Sequence, residues 1–167
     1  MSVLVIRHGL SEANNRANLG TLAFASGEAP LMQLGIEQAW ELNQRLRTEY
    51  DIDVGNTQVA TSQLKRTQET AWEAGFHHLA TYPVLNEVDH GMELPKLRTA
   101  LHFKELPEAA LKAAETILEN PPTESIWITH GLVIAGLCQI LGASQDARFI
   151  PRFCEIRELP IESASLG

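Results

Sequence analysis

Two apolar runs in this chain each end in a His-Gly pair. Val3-Leu4-Val5-Ile6 leads through Arg7 into His8-Gly9, and Ser125-Ile126-Trp127-Ile128-Thr129 leads into His130-Gly131. A short apolar run bounded by turn residues reads as a buried strand. A glycine directly after it marks a place where the backbone turns sharply or comes close to a ligand. Taken singly, Arg7 is explained as well by a surface ion pair, and His8 by a satisfied core histidine. The repetition of the pattern at residues 130–131 argues instead for two halves of one site.

The remainder of the chain alternates strands with helices. After the strand at 3–7, residues 11–19 suit a short helix capped by Ser11, and residues 20–33 carry glycine and proline as a loop does. Ile36, Ala39, Trp40, Leu42, Leu46 and Tyr50 recur at helical spacing, which predicts a helix over 34–50 with one buried face. A short strand at 58–61 and a helix at 64–74, with Ser62 as its cap, follow. Residues 79–85 suit a third strand, and Pro83 places it at or near a sheet edge. Helices are expected at 95–103 and 107–119, each opened by proline. The strand at 125–129 leads to a nearly all-apolar helix over 132–141, and a weakly alternating last strand covers 153–159.

This order predicts an α/β fold, a three-layer α/β/α sandwich with a largely parallel central sheet, in one domain over residues 1–167. In such sheets ligands bind beyond the carboxyl ends of the strands, where His8 and His130 both fall. Helices beginning soon after each histidine would turn free N–H groups into the same crevice. The expected ligand is an anion.

Composition narrows the partners. The formal net charge is −8 over 167 residues, with Lys and Arg scattered, which argues against nucleic acid or an anionic membrane as partner. The hydrophobic fraction, 44%, suffices for a core without disulfides or metal. Cys138 and Cys154 sit in no Cys-x-x-Cys pattern and read as buried reduced thiols. No basic leader is visible, and the apolar segment at 131–142 is too short to span a bilayer. A soluble, cytoplasmic protein is the expectation. Oligomeric state is not legible, because an amphipathic helix face serves as core or as interface.

A third candidate is Arg66, in Thr61-Ser62-Gln63-Leu64-Lys65-Arg66-Thr67. An arginine in the first turn after the second strand reaches toward the same crevice, although at such a position a solvated side chain is the more ordinary outcome.

Here the chain resembles the histidine phosphatase superfamily, which includes the cofactor-dependent phosphoglycerate mutases. The resemblance runs through Val5–Asn14, Pro30–Ala39, Thr61–Thr70, Leu85-Asn86-Glu87 and Ile128–Gly131, in the family order. It implies that His8 is a nucleophile forming a phosphohistidine, and that Arg7 and Arg66 clamp the phosphoryl oxygens. It also implies that His130, when protonated, adds positive charge, and that Glu87 is the general acid. Such a nucleophile needs one ring nitrogen free and the other held as a donor, most simply by a carbonyl. Asp89, and more distantly Glu93, compete with Glu87 for the proton transfer. Ser11, Asn14 and Gly131 resemble substrate contacts, with helix capping the alternative for Ser11 and Asn14. No cofactor and no metal are implied, and His77, His78, His90 and His102 show no metal-ligand spacing.

The chain departs from the family pattern at Leu10, where an acidic residue is usual, at Met32, where threonine is common, and at Gln63, where proline is common. Residues 89–94 match the usual glycine- and tryptophan-containing stretch only in part. Little room lies between Glu87 and the strand at 125 for the large insertion that covers a mutase site. The reading is therefore a metal-independent phosphatase acting on phosphomonoesters or phosphohistidine, its partner a phosphorylated small molecule or phosphoprotein. The alternatives are a phosphoglycerate-mutase-like transferase and a non-catalytic phosphate-binding module.

Overall fold

A computed structural model describes residues 2–14, 27–143 and 149–162. Five strands form one sheet: β1 (Val3–Arg7), β2 (Gln58–Thr61), β3 (His78–Thr81), β4 (Ile126–Thr129) and β5 (Ile156–Leu159), in the order β3-β2-β4-β1-β5. Every pairing is parallel except β1 with β5, which is antiparallel. The helices are α1 (Gln33–Glu49), α2 (Lys65–Glu73), α3 (Leu94–His102), α4 (Glu108–Glu119) and α5 (Gly131–Leu141).

Alternation along the strands divides the core into two layers. Leu4, Ile6, Val59, Ile126 and Ile128 pack with Ala39, Leu42 and Leu46 of α1 and Ala71 of α2. Val3, Val5, Ala60 and Trp127 face the other way, onto Ala114 and Ile117 of α4 and Val133, Ile134 and Leu137 of α5. Helices therefore cover both faces, the three-layer α/β/α arrangement expected. Gly136 lets α5 approach α4, since a Cβ there would lie 2.6 Å from the Ala110 carbonyl oxygen. Cys138 and Cys154 are buried free thiols, one in each layer.

Several local expectations are corrected. The third strand stops at Thr81, because Pro83 has no N–H to give a ladder and starts a 3-10 turn, Pro83–Leu85. It is an edge strand, as the proline implied. The last strand begins only at Ile156; Cys154 holds φ 59°, a left-handed turn that breaks the pleat. Trp40 is half exposed rather than in the buried face of α1, and its indole N–H donates to Glu73 Oε2 at 2.9 Å. Ser62 does not cap α2 in the expected way: Leu64 is the N-cap residue, and Ser62 Oγ accepts from the Leu64 N–H at 3.1 Å. Of the helix expected over 11–19, a 3-10 turn Glu12–Asn14 is present. Residues 15–19, and 20–26 of the expected loop, lie outside the described residues.

Two features of topology place the site. β1 and β4 are parallel neighbours with Arg7 opposite Thr129, so His8 and His130 leave the sheet side by side. The chain then runs to α1 in one layer and α5 in the other, the switch point at which sheets of this kind bind ligands.

Candidate active site

His8 is 1% exposed and is fixed at three points. Its N–H donates to the Thr129 carbonyl at 3.1 Å, and its own carbonyl accepts from Cys154 N–H. Its Nδ1 lies 2.7 Å from the Gly9 carbonyl oxygen. A carbonyl can only accept, so Nδ1 carries the proton and Nε2 keeps its lone pair. Burial, then the charges of Arg7 and Arg66, push the His8 pKa well below the ordinary imidazole value, and the Gly9 bond opposes them weakly. The ring is neutral at neutral pH. This is the arrangement a nitrogen nucleophile requires.

Arg7 is positioned by the segment before β5 and by the start of α5. Its guanidinium lies 4.0 Å from the Phe153 ring centroid, a cation–π contact, and its Nη1 donates to the Pro151 carbonyl at 2.8 Å. Gly131 is needed here: a Cβ at that position would come within 3.2 Å of Arg7 Nε and 3.0 Å of Ile150 Cγ2. Phe153 also stands 6.0 Å from the His8 ring. It forms a wall of the site that the sequence reading missed. No local signal marks it, because its relevance depends on β5 lying beside β1.

Arg66 is 7% exposed in the first turn of α2, not solvated. Burial lowers its pKa and the Glu87 charge acts in the opposite direction, yet a guanidinium stays protonated. Its Nε has no hydrogen-bond partner among the described residues.

His130 is fully buried and meets His8 edge to face, with ring centroids 5.1 Å apart. Burial, then His8, Arg66 and Arg7, push its pKa well below the ordinary value, so it too is neutral in the protein alone. Its Nε2 lies 2.9 Å from Ser62 Oγ, and its Nδ1 has no partner among the described residues. Ser62 Oγ lies 2.8 Å from Thr67 Oγ1, which also donates to the Leu64 carbonyl at 2.9 Å. These hydroxyls can reverse. With neutral His130, Ser62 either donates to a bare Nε2, which puts the proton on Nδ1, or accepts from Nε2–H. With imidazolium, Nε2–H donates to Ser62, which passes its own hydrogen to Thr67. Ser62 therefore accommodates either charge state, a role that its reading as a helix cap did not contain.

Arg66 Nε and His130 Nδ1, buried and without hydrogen-bond partners among the described residues, stand on different elements beside a second arginine, an arrangement suited to an anion. The N-terminus of α5 adds to it: the first intrahelical bond is Ile134 N–H to the His130 carbonyl, which leaves the preceding N–H groups outside the helix ladder. The segment after His8 does not contribute in the same way, contrary to expectation. Gly9 N–H donates to Thr70 Oγ1, Leu10 N–H to Gln38 Oε1 and Ser11 N–H to Asn14 Oδ1. Thr70, missed in the sequence, was accessible in principle: it lies four residues after Arg66, on the same helix face.

Ser11 and Asn14 satisfy each other. Ser11 Oγ donates to Asn14 Oδ1 at 2.7 Å, and Ser11 forms a bridge with Leu31. They pin the turn after His8. That turn is held closely, since a Cβ on Gly35 would lie 2.0 Å from the Leu10 carbonyl oxygen.

Glu87 is half-buried, within electrostatic reach of both arginines. Burial raises its pKa; the Val88 N–H, Arg66 and Arg7 pull the other way and do not overcome it. Asp89 is exposed, and its Oδ1 accepts from Gly91 N–H in a tight turn. Glu93 is the N-cap residue of α3. Glu87 is coupled to the arginines of the site. Among the described residues no group of three or more His, Cys, Asp or Glu side chains is placed to hold a metal ion, and no helix is long and apolar enough to cross a membrane.

A family model for the histidine phosphatase superfamily (branch 1) matches residues 3–102. No curated protein matches the chain. Among solved structures, TTHB049 from Thermus thermophilus superposes with a TM-score of 0.64 at 20% identity, over 96% of this chain and 94% of that one. A phosphoserine phosphatase from Entamoeba histolytica, solved with 3-phosphoglyceric acid, gives 0.63 at 19%, over 94% and 89%. The mycobacterial glucosyl-3-phosphoglycerate phosphatase with VO3 gives 0.57 at 16%, over 98% and 99%. At these identities the likeness establishes a shared fold along nearly the whole of both chains.

Proposed function

The chain belongs to the histidine phosphatase superfamily, and we propose that it is a metal-independent phosphatase working through a phosphohistidine on His8. One observation carries the reading: the Gly9 carbonyl fixes the proton on His8 Nδ1, leaving Nε2 unprotonated beside two arginines.

In the first step Nε2 attacks phosphorus, the P–N bond forms and the P–O bond to the leaving group breaks. Glu87, protonated, gives its proton to the departing oxygen. In the second step the Glu87 carboxylate takes a proton from water, the hydroxide oxygen attacks phosphorus, and the P–N bond breaks to free His8 and phosphate. Arg7 and Arg66 hold the phosphoryl oxygens throughout, as planar forks of donors suit. A phosphoryl dianion beside His130 opposes the burial and the neighbouring charges that keep it neutral, and favours the imidazolium. Phosphoryl transfer asks for positioning and charge stabilisation above all.

The structural relatives named as phosphatases, of phosphoserine and of glucosyl-3-phosphoglycerate, support hydrolysis of a small phosphorylated metabolite over mutase activity. Between Glu87 and β4 the helices are only α3 and α4, which supports a site open to water, as hydrolysis needs.

The test is phosphate release from p-nitrophenyl phosphate in the presence of chelator. Turnover supports the phosphatase. Phosphate binding without turnover would overturn it in favour of a binding module, and stimulation by a bisphosphoglycerate in favour of a mutase.

A further inference from the structure

The turn that carries Glu87 is joined to the segment that carries Arg66 by one pair of amides. Gln63 N–H donates to Asn86 Oδ1 at 2.8 Å, and Asn86 Nδ2 donates back to Gln63 Oε1 at 2.9 Å. Both ends of the Asn86 amide are thereby used. Asn86 directly precedes Glu87, and Gln63 stands three residues before Arg66. The other side of the turn is held differently. Thr129 Oγ1 donates to the Leu85 carbonyl at 2.6 Å in a buried contact next to His130. Leu85 is therefore anchored to β4, and the next residue is anchored to the exit of β2.

The Glu87 carboxyl is bonded to the Val88 N–H at 3.0 Å, a contact with its own neighbour. It consequently travels with the 86–88 backbone. Between the Leu85 anchor and Glu87 lies one residue, Asn86, and the amide pair holds its side chain. Gln63 is also a place where this chain departs from its family, in which proline is common. A proline has no N–H, so the main-chain half of the pair exists here because of the departure.

We propose that the Gln63–Asn86 amide pair sets the position of Glu87 against Arg66, which makes both residues positioning residues for proton transfer to the leaving group. The proposal rests on Glu87 as proton donor. A donor must come within hydrogen-bond reach of the leaving oxygen, and a displacement of about 1 Å costs up to about 10²-fold. Nitrophenolate is a weak base and leaves without a proton; an alkoxide does not. Loosening the pair therefore affects alkyl phosphates selectively.

The experiment measures kcat/KM for glycerol phosphate and p-nitrophenyl phosphate in Asn86→Ala, Asn86→Asp, Gln63→Pro, the Asn86→Ala/Gln63→Pro double variant and Glu87→Gln. The pair lies at the surface, so these variants fold, as circular dichroism and thermal melts verify. Asn86→Ala and Gln63→Pro should each lose about tenfold on the alkyl phosphate and less than about twofold on the aryl one. Asn86→Asp keeps the bond from Gln63 N–H and loses the return bond, so it should fall between. The double variant should be no worse than either single. Equal losses on both substrates, or none on either, overturn the proposal, provided Glu87→Gln is itself selective for the alkyl phosphate. An unselective Glu87→Gln removes Glu87 as proton donor, and with it the premise.

Discussion

The imidazoles of His8 and His130 meet edge to face, their centroids 5.1 Å apart and their planes inclined at 62°. Parallel pairing brings them together, with Arg7 opposite Thr129 on adjacent strands. Both rings are buried beside two arginines, and both are held well below the ordinary imidazole pKa. The site concentrates positive charge while both histidines are neutral.

This burial makes the fold sensitive to acid. Folded-state pKa values below the unfolded value, about 6.5, mean that the unfolded chain binds more protons as pH falls. Stability is then lost as pH drops through about 6.5. Denaturant unfolding between pH 7 and 5 should show a decline of up to about 1.4 kcal/mol per pH unit for each histidine. Glu87 acts oppositely: its raised folded pKa means that the folded state holds the extra proton just above about pH 4.5, offsetting part of the slope at its lower end. His130→Asn should flatten the decline; an unchanged slope would contradict the neutral buried ring.

His8→Ala should abolish turnover, by about 10³-fold or more. The wild type, quenched in alkali after mixing with labelled substrate, should carry acid-labile label that the variant lacks. Retained activity in the variant would rule out the covalent mechanism.

Glu87 must be protonated to serve as the acid, and burial raises its pKa. For an alkyl phosphate, kcat/KM should fall as pH rises through that raised value. Glu87→Gln should be slower and lack this limb, while kcat/KM for an aryl phosphate, which does not include the hydrolysis of the phosphohistidine, should change little. If the alkaline limb survives in Glu87→Gln, another group, with Asp89 the first to test, donates the proton.

Gly131→Ala probes the seating of Arg7. The added Cβ meets Arg7 Nε at 3.2 Å and Ile150 Cγ2 at 3.0 Å, so the guanidinium must shift. Competitive inhibition by inorganic phosphate should weaken about tenfold, while thermal stability falls by only about 1–3 kcal/mol, as for other overpacked sites. An unaltered inhibition constant would show that the seating of Arg7 against Gly131 does not govern phosphate binding.

Much of the site was legible because its parts sit at strand exits. His8 and His130 announce themselves by the apolar runs before them and the glycines after them, and Arg66 by its place just after β2. Other parts were not legible for definite reasons. Phe153 contributes only because β5 turns back beside β1. Ser62 was read as a cap because its nearest sequence neighbours are helical, whereas its hydroxyl also meets His130, far away in the chain. Gln63 is legible as a departure from the family pattern and Asn86 as part of the Leu85-Asn86-Glu87 block, but neither position reveals that their amides bond.

The elements follow from local patterning: apolar runs mark the strands, helical spacing of apolar residues marks the buried faces, and glycine and proline mark several of the ends. These effects act over a few residues and can be read from neighbours. Tertiary structure decided the insertion of β4 between β1 and β2, the register of Arg7 against Thr129, and the neutrality of both histidines. Those properties come from pairing between distant segments and from the removal of water around them. No single stretch of chain contains either, and both are needed before a histidine between arginine and glycine can serve as the proposed nucleophile.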